Sequence, residues 1–281
     1  ASSAYCYASE DQGMLSPSSS SESSESVFNG SGAGTSSEPV TDEKLETILK
    51  QVQSQLPAEN GTWAVFISDL VNGTEGSIND QKMQAASLIK LYIMGAVYEN
   101  YDQITGQYGR DSVDSNLYSM ITVSDNDAAN TLTTYLGGGD SAAGMQAVNS
   151  FCQAHGYDQT HMGRMLLASN ENDDNYTSVG DCGHLLQEIY KQDTSGYTHA
   201  TDMFNLLKAQ TRCNKIPAQL PEGVKTANKT GELDNVENDA GIIYDSKNDV
   251  VIVFMSQNLS SAGSAQNTIA TLSRTIYDYY N

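Results

Sequence analysis

The chain has 281 residues, enough for one large domain or two smaller ones sharing a core, with 38% apolar residues and Tyr outnumbering Phe 16 to 5. Its 14 basic and 35 acidic residues leave a net charge of −21, which repels phosphate backbones and anionic head groups and argues against nucleic acid or a polybasic membrane contact. No apolar run reaches the roughly 18 residues of a membrane span, and no charged n-region with an apolar h-region opens the chain, so any export signal is expected to have been removed or to lie outside this sequence.

Residues 1–40 read as a disordered Ser-rich tail or linker. "SPSSSSESSESVFNGSGAGTSSEP" offers almost nothing to bury, and serves either as a tether to an envelope surface or as an uninformative end. Order is expected from residue 41. "TDEKLETILKQVQSQL" places Leu45, Ile48, Leu49, Val52 and Leu56 at helical spacing behind a Thr41 cap. "TWAVFISDL" reads as a strand, "NGTE" as a turn and "GSIND" as the returning edge, leading into the helix that holds Ser87. Residues 98–214 look mostly helical. "AGIIYDS" and "DVVIVFMSQN" are strands around a Lys247-Asn248 turn, and a last helix covers about 264–280. Strands at both ends with helices between predict an α/β (α+β) fold: an antiparallel sheet built from both chain ends, flanked by helices, with an inserted all-helical lobe. The sheet lobe is expected over about 41–97 and 215–281, the helical lobe over about 98–214.

The four cysteines, Cys6, Cys152, Cys182 and Cys213, form no C-x-x-C pair, and no His stands at zinc-ligand spacing, so no metal is expected. Cys6 falls in the tail. Two of the other three pair if the compartment is oxidising; otherwise all three are buried thiols acting as small apolar residues.

Chemistry enters with "AASLIKLYIM", residues 85–94. Lys90 stands alone in an apolar stretch, three residues after Ser87, in the only Ser-x-x-Lys of the chain. On a helix, positions i and i+3 share a face, so hydroxyl and amine can touch. A Ser hydroxyl needs a base to take its proton, and a desolvated Lys with a lowered pKa is such a base. The bland alternative is a Lys snorkelling from a helix end. Two more stretches follow in order: Ser124-Asp125-Asn126 in "TVSDNDAAN", and Lys229-Thr230-Gly231 in "TANKTGELDN". Taken singly, the first could only cap a helix and the second could be an ordinary turn.

Ser-x-x-Lys, Ser-Asp-Asn and Lys-Thr-Gly in this order are the three-part signature of penicillin-recognising serine enzymes. From about residue 41 to 281 the sequence resembles the class A β-lactamases and their relatives among penicillin-binding proteins. Asn238-Asp239 in "VENDAGIIY", the stretch "KIPAQLPEGVKTANKTG" and "NYTSVGDCGHLLQEIY" fit the same resemblance.

The resemblance implies roles. Ser87 attacks a carbonyl, Lys90 accepts its proton and Ser124 relays a proton to the leaving nitrogen. Asn126 binds the substrate's amide side chain, and Lys229 with Thr230 holds a carboxylate. The backbone N–H groups of Ser87 and Glu232 form the oxyanion hole, and Gly231 leaves the substrate room against its strand. No cofactor or metal is implied. The expected partner is a small-molecule or peptidoglycan-like peptide substrate, met by a monomer without membrane span, in a secreted or cell-envelope location.

One departure divides the expectations. The family's loop pattern Arg-x-Glu-x-x-Leu-Asn, whose Glu activates water to release the acyl group, corresponds here to "RMLLASN". Arg164 and Asn170 fit, but Leu166 stands at the Glu position. Glu171, Asp173 and Asp174 are the nearby carboxylates that a reshaped loop could offer. The sequence therefore predicts a serine hydrolase or acyltransferase that deacylates poorly. The alternatives are a β-lactamase with a substitute base, a serine-dependent amidase such as a glutaminase, and a non-catalytic binding or sensing module.

Overall fold

The computed structural model describes residues 42–281. The Ser-rich segment 1–40, Cys6 and the expected Thr41 cap lie outside the described residues. In chain order the elements are α1 (Glu43–Gln55), β1 (Thr62–Asp69), β2 (Thr74–Ile78), β3 (Met83–Gln84) and α2 (Ile89–Glu99). Then come α3 (Tyr101–Tyr108), α4 (Arg110–Thr122), α5 (Asn126–Leu136), α6 (Ser141–Ala154), β4 (Tyr176–Thr177), α7 (Val179–Tyr190) and α8 (Ala200–Lys208). The chain ends with β5 (Lys225–Leu233), β6 (Val236–Tyr244), β7 (Val250–Gln257) and α9 (Ala262–Tyr280).

The main sheet is antiparallel and ordered β2-β1-β7-β6-β5. β7, made last, lies between the first hairpin and β6, so the sheet is built from both chain ends, as expected. Both of its faces are covered, which explains why β1 and β7 read as near-continuous apolar runs rather than as alternating patterns. Ala64 and Phe66 of β1, with Val251, Val253 and Met255 of β7, pack among the central helices. Trp63, Val65 and Ile67, with Ile252 and Phe254, face the opposite way, onto Leu45, Ile48 and Val52 of α1 and Ile269, Leu272 and Ile276 of α9.

Two local expectations are corrected. The α1 cap is Asp42, whose carboxylate accepts from Lys44 N at 3.1 Å. The predicted "NGTE" turn is shorter, because Thr74 and Glu75 already pair with Asp69 and Ser68 in the β1–β2 ladder. α2 is buried on all sides from Ile89 to Val97, the state of a helix that is apolar all round. It runs through the centre of the molecule and carries Lys90 in its first turn.

Candidate active site

Ser87 sits in a tight 3-10 turn, Ala86–Leu88, that leads directly into α2. Three ties hold the approach to it. Ala85 N donates to Asn175 O at 2.9 Å, and Asn238 Nδ2 donates to the carbonyls of Gln84 (2.9 Å) and Ala85 (3.0 Å). Ala86, just before the serine, has φ +48°. A left-handed alanine is uncommon, and such strain persists only where surroundings enforce it.

The Lys90 side chain has no solvent exposure. Its Nζ lies 3.0 Å from Ser87 Oγ, 2.9 Å from Ser124 Oγ, 2.7 Å from Ser124 O and 2.8 Å from Asn126 Oδ1. An ammonium has three N–H groups for these four acceptors. A neutral amine has two, which suit the carbonyl oxygens of Ser124 and Asn126, and its lone pair is left for a hydroxyl proton. The neutral form therefore fits the site as well as the charged one, and fits it as a base. Burial drives the Lys90 pKa down to about 7, with the Arg212 charge adding to the effect and Asp125 opposing it.

Ser124 is also left-handed, at φ +58°. It bridges the two lysines, because Lys229 Nζ donates to Ser124 Oγ at 3.0 Å. The capping role belongs to Asp125 alone, whose carboxylate accepts from Ala128 N at 2.8 Å at the start of α5. That leaves Ser124 and Asn126 on either side of it free to meet Lys90. Nor is Lys229-Thr230-Gly231 a turn: it lies within β5, the edge strand of the sheet, with the hairpin turn after Leu233. Lys229 is buried, and burial, then the charges of Lys90, Lys215 and Arg212, hold its pKa well below the usual lysine value.

Gly231 has a different neighbour from the one expected. A Cβ there would stand 2.9 Å from Ala85 O, 3.0 Å from Leu88 N and 3.1 Å from Ser87 N. The glycine makes room first for the Ser87 turn, letting β5 lie directly against it. The Glu232 side chain turns to Lys215, whose Nζ is 2.8 Å from Glu232 and 2.9 Å from Glu237. Burial alone would raise the Glu232 pKa, but Lys215 outweighs it and the net shift is downward.

Several contacts here join segments far apart in the sequence. Asn238 ties β6 to the segment just before Ser87. Arg212 reaches Val123 O at 3.1 Å, and Thr211 N reaches Thr122 O at 3.0 Å, so the segment after α8 braces the Ser124 turn. Lys215 was discoverable by the reasoning applied to Lys90, as a lone cation beside apolar Ile216-Pro217.

The loop carrying Leu166 is clamped from α5. Asn130 donates to Leu166 O at 3.0 Å and accepts from Leu166 N at 2.8 Å, and the Leu166 side chain joins the core. Leu167, at φ +68°, points into solvent. Two of the nearby carboxylates are engaged elsewhere. Asp174 pairs with Arg164 at 2.7 Å and accepts from Gln84 Nε2 at 3.1 Å, and Asp173 lies 2.7 Å from His161. Asn170 Nδ2 reaches toward Asp174 at 3.4 Å, and Glu171 is exposed.

Cys152 and Cys182 are free, buried thiols, whereas Cys213 is disulfide-bonded and only partly buried. With Cys152 and Cys182 free, no two of the three pair with each other, and the bonded Cys213 also rules out three buried thiols. Among the described residues no His, Cys, Asp and Glu cluster could hold a metal, and no helix is long and apolar enough to cross a membrane.

Comparison with known proteins bears on this geometry. Residues 44–108 and 108–280 match the model of the beta-lactamase enzyme family. Similar solved folds include a β-lactamase from Sphaerobacter thermophilus, with TM-score 0.69 and 21% identity over 83% of this chain and 96% of that one. PBP-A gives TM-score 0.72 and 22% identity over the same shares, 83% and 96%. A leucine-to-glutamate variant of PBP-A, in an acyl-enzyme complex with penicillin G, gives 0.71 and 23%, again over 83% and 96%. At these identities the structural likeness speaks for the fold. A direct sequence search among curated proteins finds no match.

Proposed function

The chain belongs to the beta-lactamase enzyme family, and on that premise we propose that it is a serine acyltransferase or hydrolase that forms an acyl-enzyme at Ser87 and releases it slowly. The observation that carries the reading is the buried Lys90 amine, within hydrogen-bond distance of both Ser87 Oγ and Ser124 Oγ. A pure binding module has no use for a desolvated lysine against a serine hydroxyl.

Ser87 Oγ attacks a carbonyl carbon and its proton passes to neutral Lys90. The oxyanion that forms is met by the backbone N–H groups of Ser87 and Glu232, each such donor contributing about 3 kcal/mol. As the C–N bond breaks, the leaving nitrogen takes the Ser124 hydroxyl proton, and Lys90 restores it through the contact at 2.9 Å. Lys229 and Thr230 hold the substrate carboxylate, and Asn126 orients its amide. The second half-reaction needs water activated beside the ester. Leu166 offers no base, and Asp173 and Asp174 are already paired, so the ester persists. The substrate is a β-lactam or a peptidoglycan-like peptide. The disulfide at Cys213 suits an oxidising location outside the cytoplasm.

The test is intact-protein mass spectrometry after mixing with benzylpenicillin, beside Ser87→Ala. The expected result is a long-lived adduct of the whole drug on the native chain and none on the variant. Drug consumption without a visible adduct would mean efficient hydrolysis and overturn the slow-release part. The absence of both adduct and drug consumption at high concentration would overturn the acylation reading.

A further inference from the structure

At the far end of α2 from Ser87 lies a cleft of about 330 Å3. It is walled by the α2–α3 junction, the Gly196–His199 loop and His155. Lys90 and Glu99 are nine residues apart on one helix, so cleft and serine are separated by roughly 13 Å along its axis. The cleft is neither part of the site described above nor continuous with it.

Its lining has a consistent chemistry. Tyr98, Tyr101 and Tyr197 supply aromatic surface, with two imidazoles among them: His199 stacks on Tyr98 at 4.9 Å and lies 4.9 Å from Tyr101, and His155 lies 4.8 Å from Tyr197. Each imidazole is bound to a carboxylate, His155 to Glu99 at 2.6 Å and His199 to Asp202 at 2.8 Å. Asp102 adds a further exposed acid to the wall, and no Lys or Arg lines the cleft. The nearest guanidinium, Arg110, sits 5.8 Å from the Tyr101 ring centre. A second hollow shares Tyr98 and Tyr101 and adds Asp114 and Asp202.

Ring faces carry negative quadrupole potential, and carboxylates carry negative charge. A concavity combining both, in a chain of net charge −21, repels anions and attracts cations. Its size suits one small organic molecule, and the rings give that molecule's apolar body a surface to lie on. We propose that this cleft is a second binding site, for a small organic cation with an ammonium or quaternary ammonium head and an apolar body. The proposal does not depend on the acylation reading.

The experiment titrates benzyltrimethylammonium into the full chain, followed by calorimetry and by amide NMR shifts, with benzyl alcohol and benzoate as neutral and anionic counterparts. The expected result is saturable binding with a Kd of about 1 mM or tighter. Shifts should centre on Gly95, Gly196 and Thr198, and both counterparts should bind at least five-fold more weakly. A Glu99→Gln, Asp102→Asn double variant should weaken the cation at least five-fold while leaving penicillin acylation unchanged. Tyr197→Leu, a second and independent variant, should weaken it as well. Prior acylation by benzylpenicillin should not alter the titration. Absence of saturation, equal binding of benzyl alcohol, or shifts centred on Ser87 and Lys229 would each overturn the proposal.

Discussion

The pH dependence of acylation is the most demanding prediction, because the Lys90 environment sets its size. A base must be neutral to accept the Ser87 proton. With a pKa of about 7, roughly one Lys90 in ten is neutral at pH 6, half at pH 7 and nine in ten at pH 8. The acylation rate constant with benzylpenicillin should therefore rise about ten-fold from pH 6 to pH 8 and then level off. A lysine at its ordinary 10.5 would instead give a ten-fold rise per unit through pH 9. Quenched-flow mass spectrometry measures adduct formation directly, and the penicillin carboxylate stays ionised throughout the range. Lys229 lies across the same Ser124 hydroxyl, so the observed midpoint belongs to the coupled site. Arg212→Gln removes a cation that lowers Lys90, and should move the midpoint upward. A flat profile from pH 6 to pH 8, or a climb that continues unabated past pH 9, would refute Lys90 as the base.

Leu166→Glu places a carboxylate where the chain has none and should shorten the life of the penicillin adduct by about a hundred-fold or more, seen as adduct loss in time-resolved intact mass. The same change gives up the burial of a leucine, so a lower melting temperature should accompany it. Gly231→Ala drives a Cβ against Ser87 N and Ala85 O and should cost about 1–3 kcal/mol in denaturant unfolding, with acylation falling as the nucleophile turn shifts. Asn130→Ala removes both hydrogen bonds on Leu166 and should cost about 1–3 kcal/mol, with faster amide exchange across residues 164–168. Lys90→Met should flatten the stability curve against pH. Between about 7 and 10.5 the folded native chain binds fewer protons than the unfolded chain, so native stability rises with pH across that window, and the variant should lose this slope.

The framework was legible where one physical signal dominates. The β1 and β7 runs are apolar on both faces because both faces are covered, and α2 is apolar all round because it is central. Ser87, Lys90, Ser124, Asn126 and Lys229 were legible as short local patterns, and the fold brings them within hydrogen-bond distance of one another. For contacts between distant segments, a residue such as Asn238 or Lys215 could be singled out locally, but not its partners. The grip of Asn238 on Gln84 and Ala85, the Lys215 pairs and the Arg212 brace join residues whose neighbours in sequence say nothing about each other. Gly231 shows an intermediate case. The need for a small residue was visible, but the atoms that impose it belong to the turn around Ser87.

The strand order carries a consequence for how the protein is made. β1 pairs with β7, so Asp69 waits for Val250, synthesised about 180 residues later. Until then the first hairpin has apolar surface to bury and its β1 edge open as well as its β2 edge, a species that invites aggregation or chaperone capture. The lysine that bridges to Ser124 also arrives late, on β5. A chain truncated before β5 therefore holds Ser87 and Lys90 without Lys229 and the strand that lies against the Ser87 turn. Labelling by a fluorescent penicillin would then mark finished molecules only, and serve as a clock for the closing of the sheet.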